Sequence, residues 1–374
     1  MKKLFFWVVK FVLVPIGILL VATVLIIVLL RLYAQNKVAG QIRINTPNGI
    51  HSIEKIRLGG IDQWIQIRGE DRTKPILLCL HGGPGFPEMP FSHLNAALEK
   101  DFVVVQWDQR GAGKSYSWSI PGKSMQVEQF VSDTHDLVEL LLRRFHRSKC
   151  YLVAHSWGTV FGTLAVARYP QLFKAYVAIG QVADFPESQQ ARYRFALASA
   201  RREKNEKAIA ELTRIGRPPY PSFTQSDLLE KWVSRFDTAR YPDISPWRMA
   251  WWAFESPAYS WIDLVKIPLG ARYSFRMLWR EVFYKINLFK QAPRLEVPVY
   301  FFLGRYDEVV TAKVAEKYFD ALDAPKGKQL IWFEKSGHWP HLNERQKYRD
   351  ELVNRVLRET ATGDQAKSSV SLHD

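Results

Sequence analysis

The chain has 374 residues, of which 47% are hydrophobic and 24% charged. This is the composition of a globular protein and excludes a largely disordered chain. Its two cysteines exclude a disulfide-rich scaffold, and no Cys/His spacing in the sequence indicates a structural zinc site. The 52 Lys and Arg residues outnumber the 37 Asp and Glu residues, which gives a net charge of +15 and favours an anionic partner surface.

An apolar segment lies close to the N-terminus. Residues 11–30 carry no charge, and at ~1.5 Å per residue they can cross a hydrocarbon core about 30 Å thick. A cleaved signal peptide is the alternative, but the segment is longer than a usual signal-peptide core and no small-x-small cleavage site follows it. We therefore predict a short basic N-terminus at 1–10, a single-pass membrane anchor at 11–31 and a linker at 32–49.

The charges around this segment bear on its orientation. Lys2, Lys3 and Lys10 precede it and favour a cytoplasmic N-terminus, whereas Arg31 and Lys37 follow it and favour the opposite orientation. We expect the catalytic domain to lie on the extracytoplasmic side. The partner surface predicted from the positive charge is then the membrane, with no nucleic acid involved.

Beyond residue 50 the sequence alternates between short apolar runs and amphipathic stretches. A hairpin at 51–68 is followed by β runs at 76–80, 102–107, 151–154, 175–179, 299–303 and 329–333. Runs that are apolar throughout are typical of parallel strands buried on both faces. Amphipathic stretches separate them at 127–144, 159–168, 312–322 and 344–359. This alternation predicts an α/β fold with helices on both faces of the sheet.

The alternation stops between residues 184 and 293. That stretch is rich in aromatic residues and contains six tryptophans, and we interpret it as an inserted helical cap whose aromatic side chains mostly fill its own core. The α/β core then comprises residues 50–183 and 294–359. The polar residues 360–374 are predicted to form a disordered tail.

A strand-to-helix junction carries the candidate nucleophile. In Tyr151-Leu-Val-Ala-His-Ser-Trp-Gly158, Ser156 stands where a sharp turn exposes a serine hydroxyl, with Ala154 in place of the usual first glycine. A serine hydroxyl is a weak nucleophile and needs a base. Asp307 ends a later strand and His338 follows the next one, which is the order Ser, Asp, His expected of this fold. His338 would accept the serine proton and Asp307 would orient the imidazole.

The segment His81-Gly-Gly-Pro-Gly85 directly follows another β run. Main-chain N–H groups in such a glycine loop can stabilise an oxyanion, and we predict that Gly83 and Trp157 contribute them. A second glycine-rich segment, Gly111-Ala-Gly-Lys-Ser115, resembles the end of a phosphate-binding loop. Asp108 occupies the position where that motif requires glycine, so we exclude nucleotide binding.

Five motifs together resemble the proline iminopeptidase group of α/β-hydrolases. They are His81-Gly-Gly-Pro-Gly85, Asp108-Gln-Arg-Gly-Ala-Gly-Lys-Ser115, His155-Ser-Trp-Gly158, Gly304-Arg-Tyr-Asp307 and Gly337-His338. The resemblance spans residues 50–358. It implies an α/β-hydrolase fold with a mostly parallel eight-stranded sheet, a helical cap between the sixth and seventh strands, and neither a cofactor nor a metal. It also implies acidic residues that hold the free amine of a peptide, and Glu308 and Glu281 are the residues that resemble them, with Glu255 as a further candidate.

Three functions remain open. The first is a membrane-anchored serine aminopeptidase that removes proline or small N-terminal residues from short peptides. The second is a carboxylesterase or lipase-like hydrolase of apolar esters, and the third is a membrane-tethered binding protein without turnover. Ser156 at the nucleophile position excludes dehalogenase and epoxide hydrolase chemistry, which use aspartate there.

Overall fold

The computed structural model describes residues 5–7, 9–240 and 244–361. Most of the predicted tail at 360–374 lies outside these residues. Thr360 is described, however, and it is helical and buried, with its hydroxyl 2.7 Å from the hydroxyl of Tyr151. The ordered core therefore extends past the predicted boundary at residue 359, because this threonine packs against the sheet.

An eight-stranded sheet forms the centre of the protein, as predicted. Its strands are β1 Ile50–Leu58, β2 Ile61–Gly69, β3 Ile76–Leu80, β4 Val103–Asp108, β5 Cys150–His155, β6 Phe173–Ile179, β7 Val299–Gly304 and β8 Lys328–Phe333. They lie in the order β1-β2-β4-β3-β5-β6-β7-β8. β2 is antiparallel to β1 and β4, and all other pairs are parallel. The carboxyl ends of β3, β5, β7 and β8 consequently meet at one edge of the sheet.

Both faces of the sheet are buried, which explains the uninterrupted apolar runs. Leu78 and Leu152 point into one hydrophobic cluster, and their neighbours Leu77 and Val153 point into another on the opposite face. Successive side chains of a strand alternate between faces. A strand with a core on each side is therefore apolar along most of its length, and the polar residues His155 and Asp108 stand at the carboxyl ends of β5 and β4.

Helices cover the sheet and form the cap. They are α1 Val14–Gln41, α2 Val127–Phe145, α3 Trp157–Arg168, α4 Phe185–Arg202, α5 Glu206–Ile215, α6 Phe223–Arg240, α7 Pro246–Glu255, α8 Trp261–Lys285, α9 Leu288–Gln291, α10 Ala312–Ala321, α11 Pro340–Asn343 and α12 Arg345–Asp350, followed by a helical turn at Glu351–Leu357. Helices α4 to α9 lie between β6 and β7. They form the inserted cap.

The cap contains its own core, but several of its tryptophans lie outside it. Trp232 packs in a cluster with Phe236 and is 6% exposed. Trp247, Trp251 and Trp261 are instead 85%, 45% and 45% exposed. These three side chains therefore do not fill the core of the cap as expected, because helices α7 and α8 direct them outwards.

The N-terminal helix is longer than predicted. Residues Phe5–Gln41 form the one helix among the described residues that is long and apolar enough to cross a membrane, a criterion that a signal sequence also meets. The helix continues through the predicted linker because residues 32–41 contain no proline and only one glycine, Gly40. Its last turns contact the cap, where Ala34 and Val38 are buried.

A buried ion pair joins the hairpin, the loop after β4 and helix α2. Arg110 donates to both carboxylate oxygens of Asp133 at 3.0 and 3.2 Å, and both side chains are fully buried. Gln63 also donates to Asp133 at 2.7 Å, and Arg110 donates to the carbonyl of Gly59 at 3.0 Å. Three separate segments thus share one network in which Arg110 and Asp133 neutralise each other.

Replacing Asp133 by alanine leaves the guanidinium of Arg110 buried without a counter-ion. We expect Asp133→Ala to lower the free energy of unfolding by ~3–5 kcal/mol, measured by chemical denaturation in detergent. Asp136→Ala, on the same helix with a half-exposed carboxylate, serves as the control and should change stability by less than ~0.5 kcal/mol. Equal losses in the two variants would contradict this account.

Candidate active site

The turn between β5 and α3 holds Ser156 in an unusual backbone conformation. Its φ of 51° and ψ of −117° lie in a region that residues other than glycine rarely adopt. The fold maintains this turn through close contacts on either side. A Cβ atom at Gly158 would lie 2.5 Å from the carbonyl oxygen of Leu80, and the N–H of Ser156 donates to the carbonyl of Ile179 at 2.9 Å. The adjacent strands β3 and β6 therefore determine where the serine sits.

Asp307 and His338 come together at the same sheet edge. His338 Nδ1 lies 2.9 Å from Asp307 Oδ2, and the N–H groups of Val309 and Val310 donate to Asp307 Oδ1 at 2.9 and 3.1 Å. Burial alone would raise the pKa of Asp307, but the adjacent imidazole and these hydrogen bonds outweigh it and hold the pKa below its usual value. The carboxylate is therefore ionised and directs Nε2 of His338 away from itself.

Gly180 shows how near these groups are to one another. It directly follows Ile179, whose carbonyl accepts the N–H of Ser156. Its φ is 55°, and a Cβ atom there would lie 3.3 Å from both Asp307 Oδ2 and His338 Cε1. The serine turn and the Asp–His pair thus pack around one glycine.

The predicted oxyanion loop passes over the serine. A Cβ atom at Gly82 would lie 3.2 Å from Ser156 Cβ. Gly83 has a φ of 121°, and a Cβ atom there would lie 2.4 Å from the N of Gly85, so only glycine fits. Gly83 and Trp157 both line the pocket that contains Ser156.

This pocket, of about 330 Å³, lies between the sheet edge and the cap. Its walls are mainly apolar and include Phe86, Val160, Val182, Phe223 and Phe275. Charged residues from the cap also line it. Arg192 on α4 donates to Glu230 on α6 at 2.6 Å, and Asp227 and Arg272 also line the pocket.

The two acidic residues predicted to bind a substrate amine are not brought to this pocket. Glu281 accepts a hydrogen bond from the N–H of Val127 at 3.1 Å, at the first residue of α2, where a carboxylate stabilises the helix. Glu308 lines a separate cavity of about 470 Å³ together with Arg194 and Arg305. The further candidate Glu255 lies 3.5 Å from His93.

Two acidic residues that do line the pocket, Asp227 and Glu230, were not predicted from the sequence. Asp227 and Glu230 are three residues apart, a spacing that places both carboxylates on one face of a helix. The spacing therefore predicts that the two residues share a helix face. Whether this face is directed towards the pocket depends on how α6 packs against α4, which no local sequence pattern reveals.

A second group of titratable side chains lies behind the loops that carry Ser156 and His338. Glu88 Oε1 is 2.7 Å from His155 Nδ1, and Glu88 Oε2 is 3.2 Å from His341 Nε2. His155 Nε2 is 2.9 Å from the carbonyl oxygen of His338. Burial would raise the pKa of Glu88, but the two imidazoles outweigh it and hold the pKa well below normal.

These three side chains are the described residues that could hold a metal ion, since their ligand atoms lie within 4.8 Å of one another. The direct contacts between Glu88 and each imidazole already account for the arrangement. Each ring nitrogen of His155 faces an acceptor, Nδ1 the carboxylate of Glu88 and Nε2 the carbonyl oxygen of His338. We interpret the group as a support for the main chain of His338.

The alpha/beta hydrolase fold family model matches residues 75–345, which is well over half of the chain. The chain is 32% identical to a probable aminopeptidase, YbaC, of Bacillus subtilis (strain 168), over 78% of its own length and 92% of that protein. It is 28% identical to a proline iminopeptidase of Clostridioides difficile (strain 630), over 50% and 61% of the two chains. The chain therefore belongs to the alpha/beta hydrolase family, and the predicted resemblance to proline iminopeptidases is confirmed.

Solved structures support the fold. The proline iminopeptidase of Mycobacterium smegmatis superimposes with a TM-score of 0.56 at 17% identity, over 83% of this chain and all of that one. A membrane phospholipase A described as a bacterial virulence factor also superimposes with a TM-score of 0.56 at 17% identity, over 97% and 99% of the two chains. At this identity the likeness concerns the fold alone.

The hydrogen bonds of His81 fix its protonation state. Its Nδ1 lies 2.8 Å from the carbonyl oxygen of Gly82 and its Nε2 accepts the N–H of Gln109 at 3.1 Å, so the ring is neutral with the proton on Nδ1. Burial lowers the pKa of His81 from 6.5 to about 4. Below pH ~6.5 the unfolded chain therefore binds a proton that the folded chain does not, and stability falls as the pH falls towards 4.

His81→Gln removes this proton uptake on unfolding. We therefore expect the free energy of unfolding to change less steeply with pH between 6.5 and 4, by about 1.4 kcal/mol per pH unit. Free energies of unfolding measured at several pH values test this. His146→Gln, at an exposed histidine, is the control and should keep the slope of the unchanged protein. An unaltered slope in His81→Gln would show that His81 is not held neutral in the folded state.

Proposed function

We propose that the protein is a membrane-anchored serine hydrolase with a triad of Ser156, Asp307 and His338. The observation that carries the proposal is the hydrogen-bonded Asp307–His338 pair at the sheet edge where Ser156 occupies its strained turn. His338 Nε2 would accept the Ser156 proton as the hydroxyl oxygen attacks a carbonyl carbon. The N–H groups of Gly83 and Trp157 would stabilise the oxyanion.

The second half of the reaction follows from the same groups. The imidazolium of His338 gives its proton to the leaving group, which departs and leaves an acyl ester on Ser156. Water, deprotonated by His338, then attacks this ester and releases the acid. Asp307 stays ionised throughout and stabilises the imidazolium.

We further propose that the substrates are short peptides with a free N-terminal amine. The relatives named aminopeptidase and proline iminopeptidase support this class. Asp227 supplies a carboxylate at the cap side of the pocket, and a substrate ammonium that leaves water needs such a partner. Glu230, three residues further on, already pairs with Arg192 at 2.6 Å. Asp227 takes the place of Glu281 and Glu308 in this account.

An esterase that acts on apolar acyl groups is the second candidate. The specific observation in its favour is the largely aromatic and aliphatic wall of the pocket, with Phe223 and Phe275 contributed by the cap. A turnover-free binding protein is disfavoured by the complete set of Ser156, Asp307 and His338. Hydrolysis of a proline naphthylamide and of a p-nitrophenyl butyrate, compared on one preparation, separates the two enzymatic candidates.

We propose that the helix Phe5–Gln41 anchors the protein in a membrane and that the lysines before it keep the N-terminus in the cytoplasm. The catalytic domain then lies on the extracytoplasmic side. The apolar side chains of α1 between Ile16 and Leu32 are mostly exposed in the protein alone, as lipid-facing residues would be.

Ser156→Ala should abolish hydrolysis, with a loss on the order of 10⁶-fold in kcat for a triad of this kind. Initial rates with either test substrate measure the loss. Ser119→Ala makes the same chemical change on an exposed loop and should leave the rates unchanged. Residual activity within tenfold of the unchanged protein would exclude Ser156 as the nucleophile.

Asp227→Asn removes one carboxylate charge from the pocket while keeping the side-chain shape. If Asp227 binds the substrate amine, kcat/KM for a free-amine substrate should fall about tenfold, as expected for a hydrogen bond worth ~1.5 kcal/mol to a charged group. The N-acetylated analogue and a butyrate ester should change little. Glu206→Gln, at an exposed carboxylate on α5, is the matched control.

The outcomes distinguish the candidates. A tenfold loss confined to the free-amine substrate supports an aminopeptidase. An equal loss on all three substrates would make Asp227 a structural residue of the pocket. No loss on any of them would exclude Asp227 as the residue that binds the substrate amine and would favour the esterase.

A further inference from the structure

Two helices of the cap expose large apolar side chains on their outer side. Ile262, Val265 and Leu269 on α8 are 71%, 62% and 38% exposed. Their spacing of three and four residues places them in one stripe along the helix. With the exposed tryptophans of α7 and α8 they form what we call the outer cap surface, consisting of Trp247, Trp251, Trp261, Ile262, Val265 and Leu269. Contiguous exposed apolar groups of this kind mark interaction surfaces.

The N-terminal helix is fastened beside this surface. Arg31 donates to the carbonyl of Phe254 at 3.0 Å and to that of Tyr259 at 2.7 Å, and its guanidinium carbon lies 4.3 Å from the ring centroid of Trp261. Gln35, one turn further on, donates to the carbonyl of Ser256 at 2.7 Å. Arg31 is the first charged residue after the apolar segment. The outer cap surface therefore begins where the apolar part of α1 ends.

The position of Arg31 sets the height of the cap relative to a bilayer. If residues 11–30 span the hydrocarbon core, as the proposed function requires, Arg31 lies at the boundary between hydrocarbon and headgroups. Trp261 contacts Arg31 directly and Ile262 is the next residue of α8, so both lie at that same level. Tryptophan side chains are enriched at this boundary because their rings are apolar and their N–H group is polar.

The charges near the surface suit anionic headgroups. Asp263, which follows Ile262 on α8, pairs with Lys114 at 2.6 Å, and Glu255 at the end of α7 lies 3.5 Å from His93. Arg248 is exposed and lies over the ring of Trp252, 5.0 Å from its centroid. An apolar stripe next to basic side chains is typical of surfaces that lie in a membrane interface.

We infer that the outer cap surface rests in the interface of the same bilayer that holds α1. This inference depends on the proposed membrane anchor and adds a second contact between the protein and lipid. Helix α8 continues from the surface to the pocket, where Ala271, Arg272 and Trp279 form part of the wall. One helix would therefore contact lipid at one end and line the substrate pocket further along.

Single cysteines that carry the fluorophore NBD can report the contact in the full chain. The labelled positions are Ile262→Cys and Val265→Cys on the outer cap surface, Leu25→Cys within the apolar segment, and Lys326→Cys as the control. Lys326 is exposed at the amino edge of the sheet, opposite the pocket. The unchanged chain, whose Cys79 and Cys150 lie within strands β3 and β5, gives the background labelling.

Each labelled protein is reconstituted in nanodiscs of phosphatidylcholine and phosphatidylglycerol, and fluorescence is measured with lipid-borne doxyl quenchers and with aqueous iodide. We expect labels at 262 and 265 to be quenched by the doxyl lipids about threefold more than the label at 326, at a depth of ~5–10 Å below the headgroups. Such a result supports the inference.

The other outcomes overturn it in distinguishable ways. Doxyl quenching at position 25 but not at 262 or 265 leaves the anchor intact and removes only the cap contact. Protection of 262 and 265 from iodide without quenching by doxyl lipids means that protein, such as a second copy of the chain, covers the surface. Absence of doxyl quenching at position 25 removes the anchor and the cap contact together.

Discussion

The backbone turn at Ser156 has a positive φ of 51° that the chain could not keep on its own. Two neighbouring strands hold it in place. Gly158 packs against the end of β3 so closely that any larger residue would collide with the carbonyl of Leu80, and the main chain of β6 accepts the serine N–H. The other parts of the site are positioned relative to this turn, because their loops leave the same edge of the same sheet.

Three groups of residues surround this site: the side chains around Glu88, the cap and the N-terminal helix. Behind the loops, the contacts of Glu88 with His155 and His341 support the main chain of His338 from the side away from the pocket. On the other side the cap covers the pocket with apolar groups and a few charged ones. The N-terminal helix contacts the cap, so an anchor in the membrane would act on the element that borders the pocket.

The sheet, and the places of Ser156, Asp307 and His338 at its carboxyl edge, could be predicted from sequence because they depend on local patterns. Strands buried on both faces are apolar without interruption, and the serine, the acid and the histidine each follow such a strand. The cap residues could not be predicted in this way. Glu281 is an acidic residue on a cap helix like many others, and only the packing of α8 against α2 shows that it stabilises the start of α2.

Helix and loop packing, which local sequence patterns do not show, also explains why other side chains lie elsewhere than predicted. An aromatic-rich segment predicts buried rings, but Trp247 and Trp261 face outwards because of how α7 and α8 are oriented on the core. Glu308 follows Asp307 in the chain, and both line a neighbouring cavity rather than the pocket that contains Ser156. Which cavity a loop residue borders depends on the packing around the loop and cannot be predicted from its order in the sequence.

The central claim is that Ser156 is a nucleophile activated by the Asp307–His338 pair. Reaction of the full chain with a fluorophosphonate, followed by mass spectrometry of its peptides, tests this most directly. The account predicts one phosphonyl group per chain, attached to the hydroxyl oxygen of Ser156 with loss of fluoride, and a much slower reaction in Asp307→Asn. Modification at another residue, or no reaction in folded protein, would contradict it.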